Sequence, residues 1–257
     1  MNNKIKFLGS SCWQGIPSPF CDDKVSKNVQ WDSKDFRFRT SLLIKTKQNK
    51  TIVVEVTPDI RLQAWKYKLD IPDAFLISHW HWDHLFGLKD LDWFCEKYNP
   101  KVFGSKTTKE WYDSDMSYIP VDFKVFESYK PFVIDNIKIT PFLVDHVDGT
   151  DGFIFEDIET SNKIAYLADL HGMPKKSFEM IKDIDTLIID STYIEGEGID
   201  GDKTHFWRND LLNFLEQLKS KNIILTHISS HHNLNHEELE KKYPDYVISY
   251  DGMEVEF

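Results

Sequence analysis

Four side chains that can bind metal ions lie within six consecutive positions of the chain. His79, His81, Asp83 and His84 form the pattern HxHxDH one residue after the apolar residues 75–77. Two imidazoles at positions i and i+2 after a strand can reach one metal ion, and the carboxylate and imidazole that follow on a turning backbone can reach a second. Without a cation, such closely packed groups would repel and desolvate one another. The pattern therefore predicts a two-metal ligand cluster on a strand-end loop.

Three further residues of ligand type occupy equivalent positions later in the chain. His146, Asp169 and His227 each come just after a β-rich apolar run. A site for two metal ions needs more ligands than one loop can supply, and residues at the ends of separate strands can converge on it. Each of the three alone would be an ordinary loop residue. Together with the HxHxDH segment they complete a set of ligands for two ions.

The elements that must position these residues are mostly short strands. Apolar and β-branched runs predict strands at 4–8, 41–46, 51–56, 74–77, 101–103, 131–134, 137–144, 153–155, 164–168, 186–189, 223–226 and 246–249. Apolar periodicity predicts helices at 58–66, 209–219 and 235–242, and we expect other helices between the strands. Because no repeat, low-complexity tract or Pro/Gly/Ser linker divides the chain, we expect one domain over residues 1–257.

The composition of the chain limits where the protein is expected to reside and what it is expected to bind. The formal net charge of −11 opposes binding to long nucleic acid, which requires a row of Lys and Arg side chains. No signal-like segment or membrane-length apolar run is visible, so we expect a cytoplasmic protein with no membrane contact. The three cysteines have no CxxC pairing, which predicts reduced thiols.

The order and spacing of the seven ligand-type residues resemble those of the metallo-β-lactamase superfamily, and the resemblance covers nearly the whole chain. It implies an α/β (α+β) fold, an αββα sandwich of two mixed β-sheets with helices outside and the metal ions at one edge. By this resemblance the first metal ion would be bound by His79, His81 and His146, the second by Asp83, His84 and His227, and Asp169 would bridge the two.

Further local sequences resemble the phosphodiesterase branch of that superfamily. They are 8–11 with Gly15 and Pro17, 190–192, 226–229 and 250–253. This branch includes the cyclic phosphodiesterase associated with carbon–phosphorus lyase and, more distantly, the tRNA 3′-processing nuclease. It carries an additional histidine at the place of His205, which is our candidate general acid, and Asp202 and Asp210 could tune it. An exposed loop histidine near a helix start is the alternative interpretation of His205.

The predicted chemistry is hydrolysis by a hydroxide bound to two divalent ions, zinc or manganese, with iron a third candidate. His205, Asp83 and Asp169 are the expected catalytic residues. We expect a small or cyclic phosphodiester as substrate and a homodimer as the candidate assembly. Hydrolysis of a thioester or lactone is the alternative, because the same hydroxide can attack a carbonyl. A tRNA-processing nuclease and a metal-binding sensor without turnover rank lower.

Several neighbouring residues permit two interpretations. Trp80 and Trp82 alternate with the ligands, and we expect them to pack beneath the loop rather than stack on a substrate. Arg37 and Arg39 could meet a phosphate, or they could belong to a strand edge with alternating charges. We interpret His171 as an ordinary loop residue.

Overall fold

The computed structural model describes residues 2–195 and 204–257. Its strands are β1 (Lys4–Gly9), β2 (Ser41–Lys45), β3 (Thr51–Val54), β4 (Ala74–Leu76), β5 (Lys101–Gly104), β6 (Asp122–Val125), β7 (Phe132–Ile134), β8 (Ile137–Leu143), β9 (Asp151–Asp157), β10 (Lys163–Leu167), β11 (Thr186–Asp190), β12 (Asn222–Thr226), β13 (Val247–Ile248) and β14 (Glu254–Glu256). Its α-helices are α1 (Lys24–Asn28), α2 (Ile60–Tyr67), α3 (Trp82–Leu85), α4 (Asp92–Tyr98), α5 (Lys106–Asp115), α6 (Lys175–Ile181), α7 (Arg208–Glu216) and α8 (His236–Lys242), and a 3₁₀ helix covers Phe86–Leu91.

The strands form two sheets of seven strands each. One sheet has the order β14-β1-β2-β3-β4-β5-β6 and the other β13-β12-β11-β10-β9-β8-β7. In each sheet a group of antiparallel strands continues into a group of parallel strands, at β3 in the first sheet and at β10 in the second. Antiparallel neighbours need only short connections, whereas the parallel neighbours are joined through helices. Both sheets are therefore mixed, as predicted.

Apolar side chains fill three layers of contact. Between the sheets, residues such as Phe7 and Ile44 of the first sheet face Phe155 and Tyr166 of the second, all fully buried. A second group of apolar residues packs α2, α4 and α5 on the outer face of the first sheet. A third packs α6, α7 and α8 on the outer face of the second. The result is a four-layer arrangement of helices, sheet, sheet and helices.

The structure differs from the predicted elements mainly where the sequence is polar or short. The sequence pattern does not predict strand β6, because its alternating charged residues, Asp122 and Lys124, are typical of a loop. In the structure this strand pairs with β5 and forms the edge of the sheet. The predicted strand 246–249 shrinks to two residues. The HxHxDH segment is also not entirely loop, because Trp82–Leu85 forms one helical turn. That turn presents Asp83 and His84 from consecutive helical positions.

The three cysteines are free thiols, as predicted. Cys12 and Cys95 are buried and Cys21 is half-buried. None of the helices within 2–195 and 204–257 combines the length and the apolar character required to span a bilayer.

The ends of four strands bring the ligand-type residues to one edge of the two sheets. His79 follows β4 of the first sheet, and His146, Asp169 and His227 follow β8, β10 and β12 of the second. Because β8 and β10 are both antiparallel to β9, and β10, β11 and β12 are parallel, these carboxyl ends point the same way. The topology thus collects side chains that are far apart in sequence.

Gly87 lets the segment with the HxHxDH pattern pack tightly on the end of β3. The His84 carbonyl accepts a hydrogen bond from the Val56 N–H at 2.8 Å, and the Gly87 N–H donates to the Val56 carbonyl at 2.9 Å. A Cβ atom on Gly87 would lie 2.0 Å from the Thr57 carbonyl oxygen, a distance at which the backbones must separate.

We predict that Gly87→Ala destabilises the protein by about 2–3 kcal/mol, because the added methyl group overpacks a backbone contact. The change would also displace His84, so metal-ion affinity should fall. Urea denaturation measures the first effect and metal titration the second. Asp90→Ala, an exposed position in the same 3₁₀ helix, is the control and should change neither. Unchanged stability in Gly87→Ala would show that this contact is not tight.

Candidate metal centre

The structure places the proposed ligands of the first metal ion together. One ligand-type atom from each of His79, His81, His146 and Asp169 lies within 4.8 Å of the others. The His146 Nε2 atom is 3.1 Å from His81 Nδ1 and 3.5 Å from Asp169 Oδ2, and His79 Nε2 is 3.8 Å from the same carboxylate oxygen. Three imidazoles and one carboxylate therefore converge on one point.

The proposed ligands of the second ion form an adjoining group. Atoms of Asp83, His84 and His227 also lie within 4.8 Å of one another. The other oxygen of Asp169, Oδ1, is 3.4 Å from His84 Nε2 and 3.1 Å from His227 Nε2. The two oxygens of this one carboxylate thus face the two groups separately, as a bridging ligand requires.

Several atoms at the junction of the groups are buried without a hydrogen-bond partner among the described residues. They are His79 Nε2, His84 Nε2, His227 Nε2 and Asp169 Oδ1. Buried polar atoms are normally satisfied, and orphaned ones that point at each other indicate a missing common partner. Imidazole nitrogen and carboxylate oxygen are ligands of zinc and of other first-row divalent ions. The residues fit divalent cations.

The charges of the site follow from burial and from neighbouring groups. Burial and the neighbouring His84 lower the pKa of His79 well below its usual value, which leaves a neutral imidazole suited to metal binding. Burial would raise the pKa of Asp169, but His227 and His84 outweigh it and hold the pKa well below the usual range. For His84, burial lowers the pKa, but Asp169, Asp83 and Glu55 raise it well above normal. In the absence of cations, a proton on His84 would take over part of their electrostatic role.

The second ring nitrogen of three histidines is held by a hydrogen bond. The pairs are Ser78 Oγ with His79 Nδ1 at 2.9 Å, the Thr204 carbonyl with His146 Nδ1 at 2.7 Å, and Thr192 Oγ1 with His227 Nδ1 at 2.7 Å. Such contacts fix the ring orientation and leave the Nε2 atom directed at the metal centre.

Glu55 contacts the segment that carries the ligand-type histidines, and the sequence pattern does not predict this contact. Its Oε2 atom accepts a hydrogen bond from the Ser78 N–H at 3.3 Å and lies 3.4 Å from His84 Nδ1. Glu55 follows β3 directly, as His227 follows β12, but it falls inside the predicted strand 51–56. Its left-handed backbone, with φ 64°, ends the strand and turns the side chain under the site. A lone acidic residue at the end of an apolar run was the available signal.

His205 lies beside both groups and is paired with Asp190. Its Nδ1 atom is 2.6 Å from Asp190 Oδ2, and its ring centroid is 5.4 Å from those of His146 and His227. The interpretation of His205 as an exposed loop residue is wrong, because only 7% of it is exposed. Of the predicted tuning residues, Asp202 lies outside the described residues.

The carboxylate in contact with His205 is that of Asp190 rather than that of Asp210. Burial would raise the pKa of Asp190, but His205 and His227 lower it well below its usual range, so this carboxylate stays ionised. Thr192 supports it through both its N–H and its hydroxyl, which donate to Oδ1 at 2.8 and 2.6 Å. Asp190 stood in the motif 190–192, but nothing in the sequence indicated that it contacts His205. Asp210 instead lines a surface cleft with His171.

The two arginines have intramolecular partners. Arg37 is buried, and its guanidinium donates to Ser10 Oγ at 2.8 Å and contacts His236 Nδ1 at 3.0 Å. Arg37 and Arg39 do form isolated β-bridges at alternate positions, with Ile16 and Ser11, but the side chain of Arg37 is buried. Arg39 forms an ion pair with Asp59 at 2.8 Å. Its positive charge is therefore already balanced and is not free to bind a phosphate.

The two tryptophans of the ligand segment behave differently. Trp80 stacks on Trp111 with ring centroids 4.1 Å apart and planes inclined by 7°, so it packs beneath the loop as predicted. Trp82 is 41% exposed and carries the Arg39 guanidinium over its ring at 5.1 Å. The prediction of buried packing is wrong for Trp82, because α3 turns its ring outward.

Similarity to known proteins agrees with this geometry. A diphosphatase from the PhnP family has a solved structure that superposes with a TM-score of 0.86 at 27% identity, covering 100% of this chain and 98% of its own. An octanoyltransferase from Porphyromonas gingivalis is 28% identical over 96% of this chain and 50% of its own length. A ribonuclease Z from Staphylococcus carnosus is 31% identical over 42% of each chain. The chain spans about half the length of the curated relatives it matches.

A family comparison covers the segment that contains the ligand-type residues. Residues 50–228, well over half of the chain, match the beta-lactamase superfamily domain. The predicted fold, two mixed β-sheets flanked by helices, is confirmed by this match and by the superposition with the diphosphatase. The family match and the similarity to the diphosphatase support the prediction of a metal-dependent hydrolase. The chain belongs to the beta-lactamase superfamily and has the metallo-β-lactamase fold.

Proposed function

We propose that this chain hydrolyses a phosphodiester or diphosphate bond of a small molecule with the help of two divalent metal ions. The observation that carries the proposal is the position of the His205–Asp190 pair beside the two ligand groups that share Asp169. Cleavage of an unactivated phosphate ester expels a poor leaving group, which benefits from a proton donor. The similarity to a diphosphatase at 27% identity supports phosphorus as the centre of reaction.

The residues that would hold the ions are those already brought together. His79, His81 and His146 would bind one ion and Asp83, His84 and His227 the other, with Asp169 shared between them. When bound, two such ions supply a water of lowered pKa and positive charge for the phosphoryl oxygens. Zinc and manganese both suit this set of nitrogen and oxygen ligands, and iron is a further candidate.

His205 would act on the leaving oxygen. The ionised Asp190 accepts the Nδ1–H of His205, which fixes the tautomer and stabilises the protonated imidazole. The Nε2 atom is then the one that gives a proton to the leaving oxygen. A ring nitrogen of His205 lies within 4.8 Å of ligand-type atoms of Asp169 and His227, which supports a proton donor beside the metal centre.

The choice of substrate can be narrowed from the same features. The net charge of −11 disfavours binding to long nucleic acid, so we propose a small substrate. We also propose that the protein acts in the cytoplasm. A thiolate leaves without a proton, whereas the alkoxides of a phosphate ester and of a lactone both need one. The buried His205–Asp190 pair therefore favours oxygen esters over the thioester alternative, and the similarity to a diphosphatase favours phosphate esters over the lactone. A sensor without turnover would have no use for a proton donor.

We predict that the protein loaded with zinc or manganese cleaves bis-p-nitrophenyl phosphate but neither a lactone nor a glutathione thioester. Release of p-nitrophenol, lactone ring opening and free thiol report the three reactions. Turnover of the thioester or the lactone at a higher kcat/KM than the diester would replace the proposal by the acyl alternative. Absence of turnover on all three compounds, with metal ions bound, would favour the alternative of a metal-binding sensor without turnover.

We predict that His205→Ala lowers kcat on an unactivated alkyl phosphodiester about 100-fold but changes kcat on bis-p-nitrophenyl phosphate only a few-fold. The reason is that p-nitrophenolate leaves without a proton, whereas an alkoxide does not. The matched control is His231→Ala, an exposed histidine, which should leave both reactions unchanged. Full turnover of the alkyl diester by His205→Ala rules out the acid role. Loss of bound metal ions in that variant would show that His205 is a ligand instead.

A further inference from the structure

A cleft of about 400 Å³ lies next to the candidate metal centre, and exposed aromatic rings line it. We call it the aromatic cleft; its main lining residues are Trp13, Gln14, Ser18, Phe20, Arg39 and Trp82. Trp13 and Trp82 are 46% and 41% exposed, and Phe20 is fully exposed. Soluble proteins rarely leave several large aromatic side chains open in one place without a binding role.

Two residues of the cleft are chain neighbours of the metal centre. Trp82 stands in the sequence between two proposed ligands, His81 and Asp83. Trp13 follows Cys12, whose N–H donates to the Ile228 carbonyl at 3.2 Å, and Ile228 directly follows the proposed ligand His227. The segments that line the cleft are therefore anchored next to the proposed ligands.

Arg39 fixes the geometry of the cleft. Its guanidinium donates to the Trp13 carbonyl at 2.7 Å and pairs with Asp59 at 2.8 Å while it lies over the Trp82 ring at 5.1 Å. The same side chain thus sets the two indole groups relative to each other. Because Asp59 balances the charge of Arg39, the cleft offers flat apolar faces rather than a site for an anion.

We infer that the aromatic cleft binds the planar base of a nucleotide substrate whose phosphate is cleaved at the metal centre. The inference rests on the proposed function and adds the substrate class. Stacking on aromatic rings is tolerant of base identity and is worth about 1–3 kcal/mol per base. The side chains of Gln14 and Ser18, which lie 3.5 Å apart, provide polar groups for the edge of the base. The volume suits a base with part of its ribose.

Two esters that differ only in the base test the inference. They are the methyl ester of adenosine 5′-monophosphate and the methyl ester of ribose 5-phosphate, which present the same phosphodiester. We expect kcat/KM to be about tenfold higher for the adenosine compound. Trp13→Ala should abolish this preference by lowering kcat/KM more for the adenosine compound than for the ribose compound, and Trp13→Phe should restore part of the preference. Trp93→Ala, a 70% exposed tryptophan on α4, is the matched control and should keep the preference.

A binding measurement separates failure of the cleft from failure of the reaction. In saturation-transfer NMR with the zinc-loaded protein, the adenine protons of adenosine, which carries no phosphate, should receive saturation from the wild type and from Trp93→Ala but not from Trp13→Ala. Equal kcat/KM for the two esters, or equal losses on both in Trp13→Ala, overturns the inference while the proposed function stands. If the metal-loaded protein cleaves neither ester, the proposed function fails, and the NMR experiment alone decides whether the cleft binds a base.

Discussion

The architecture depends on one buried carboxylate, that of Asp169, which lies among the imidazoles of both ligand groups. A charge in this position is costly unless it is paired, and the hydrogen bonds among the described residues do not satisfy it. Its two oxygens face different groups, 3.5 Å from His146 and 3.1 Å from His227. A pair of shared cations would offset this cost. It would also tie the second sheet, which carries Asp169, to the segment that follows β4 of the first. Metal binding and the mutual position of the two sheets are thus expected to be coupled.

Around this carboxylate, a layer of supporting residues restricts each ligand to one orientation. Glu55 and Asp190 are the two acidic members of that layer, and each lies at the end of a strand, one on each sheet. Glu55 approaches His84 from the face away from Asp169, whereas Asp190 contacts both His205 and His227. Glu55 therefore contacts one ligand-type histidine, whereas Asp190 links His227 to His205, the residue that we propose as proton donor. Preorganisation of this kind would suit a hydrolytic site.

All seven ligand-type residues could be predicted from the sequence, because the segment 79–84, His146, Asp169 and His227 each come after an apolar run and strand ends meet at a sheet edge. The supporting residues could not. Glu55 sat inside a predicted strand, since a left-handed residue leaves no clear mark in an apolar run, and the contact between Asp190 and His205 depends on tertiary packing. The ring of Trp82 points outward because one helical turn forms in a segment that the sequence predicts to be loop. The aromatic cleft could therefore not be predicted from the sequence. Edge strands such as β6 could not be predicted, because they are stabilised by pairing with a neighbouring strand and not by an alternating hydrophobic pattern.

The central claim is that two divalent ions share Asp169, and anomalous diffraction from crystals grown with zinc or manganese tests it most directly. The account predicts two peaks, one within bonding distance of His79, His81 and His146 and the other of Asp83, His84 and His227, each with one Asp169 oxygen. A single peak, or a second ion bound by His205 in place of Asp83 and His84, would contradict it.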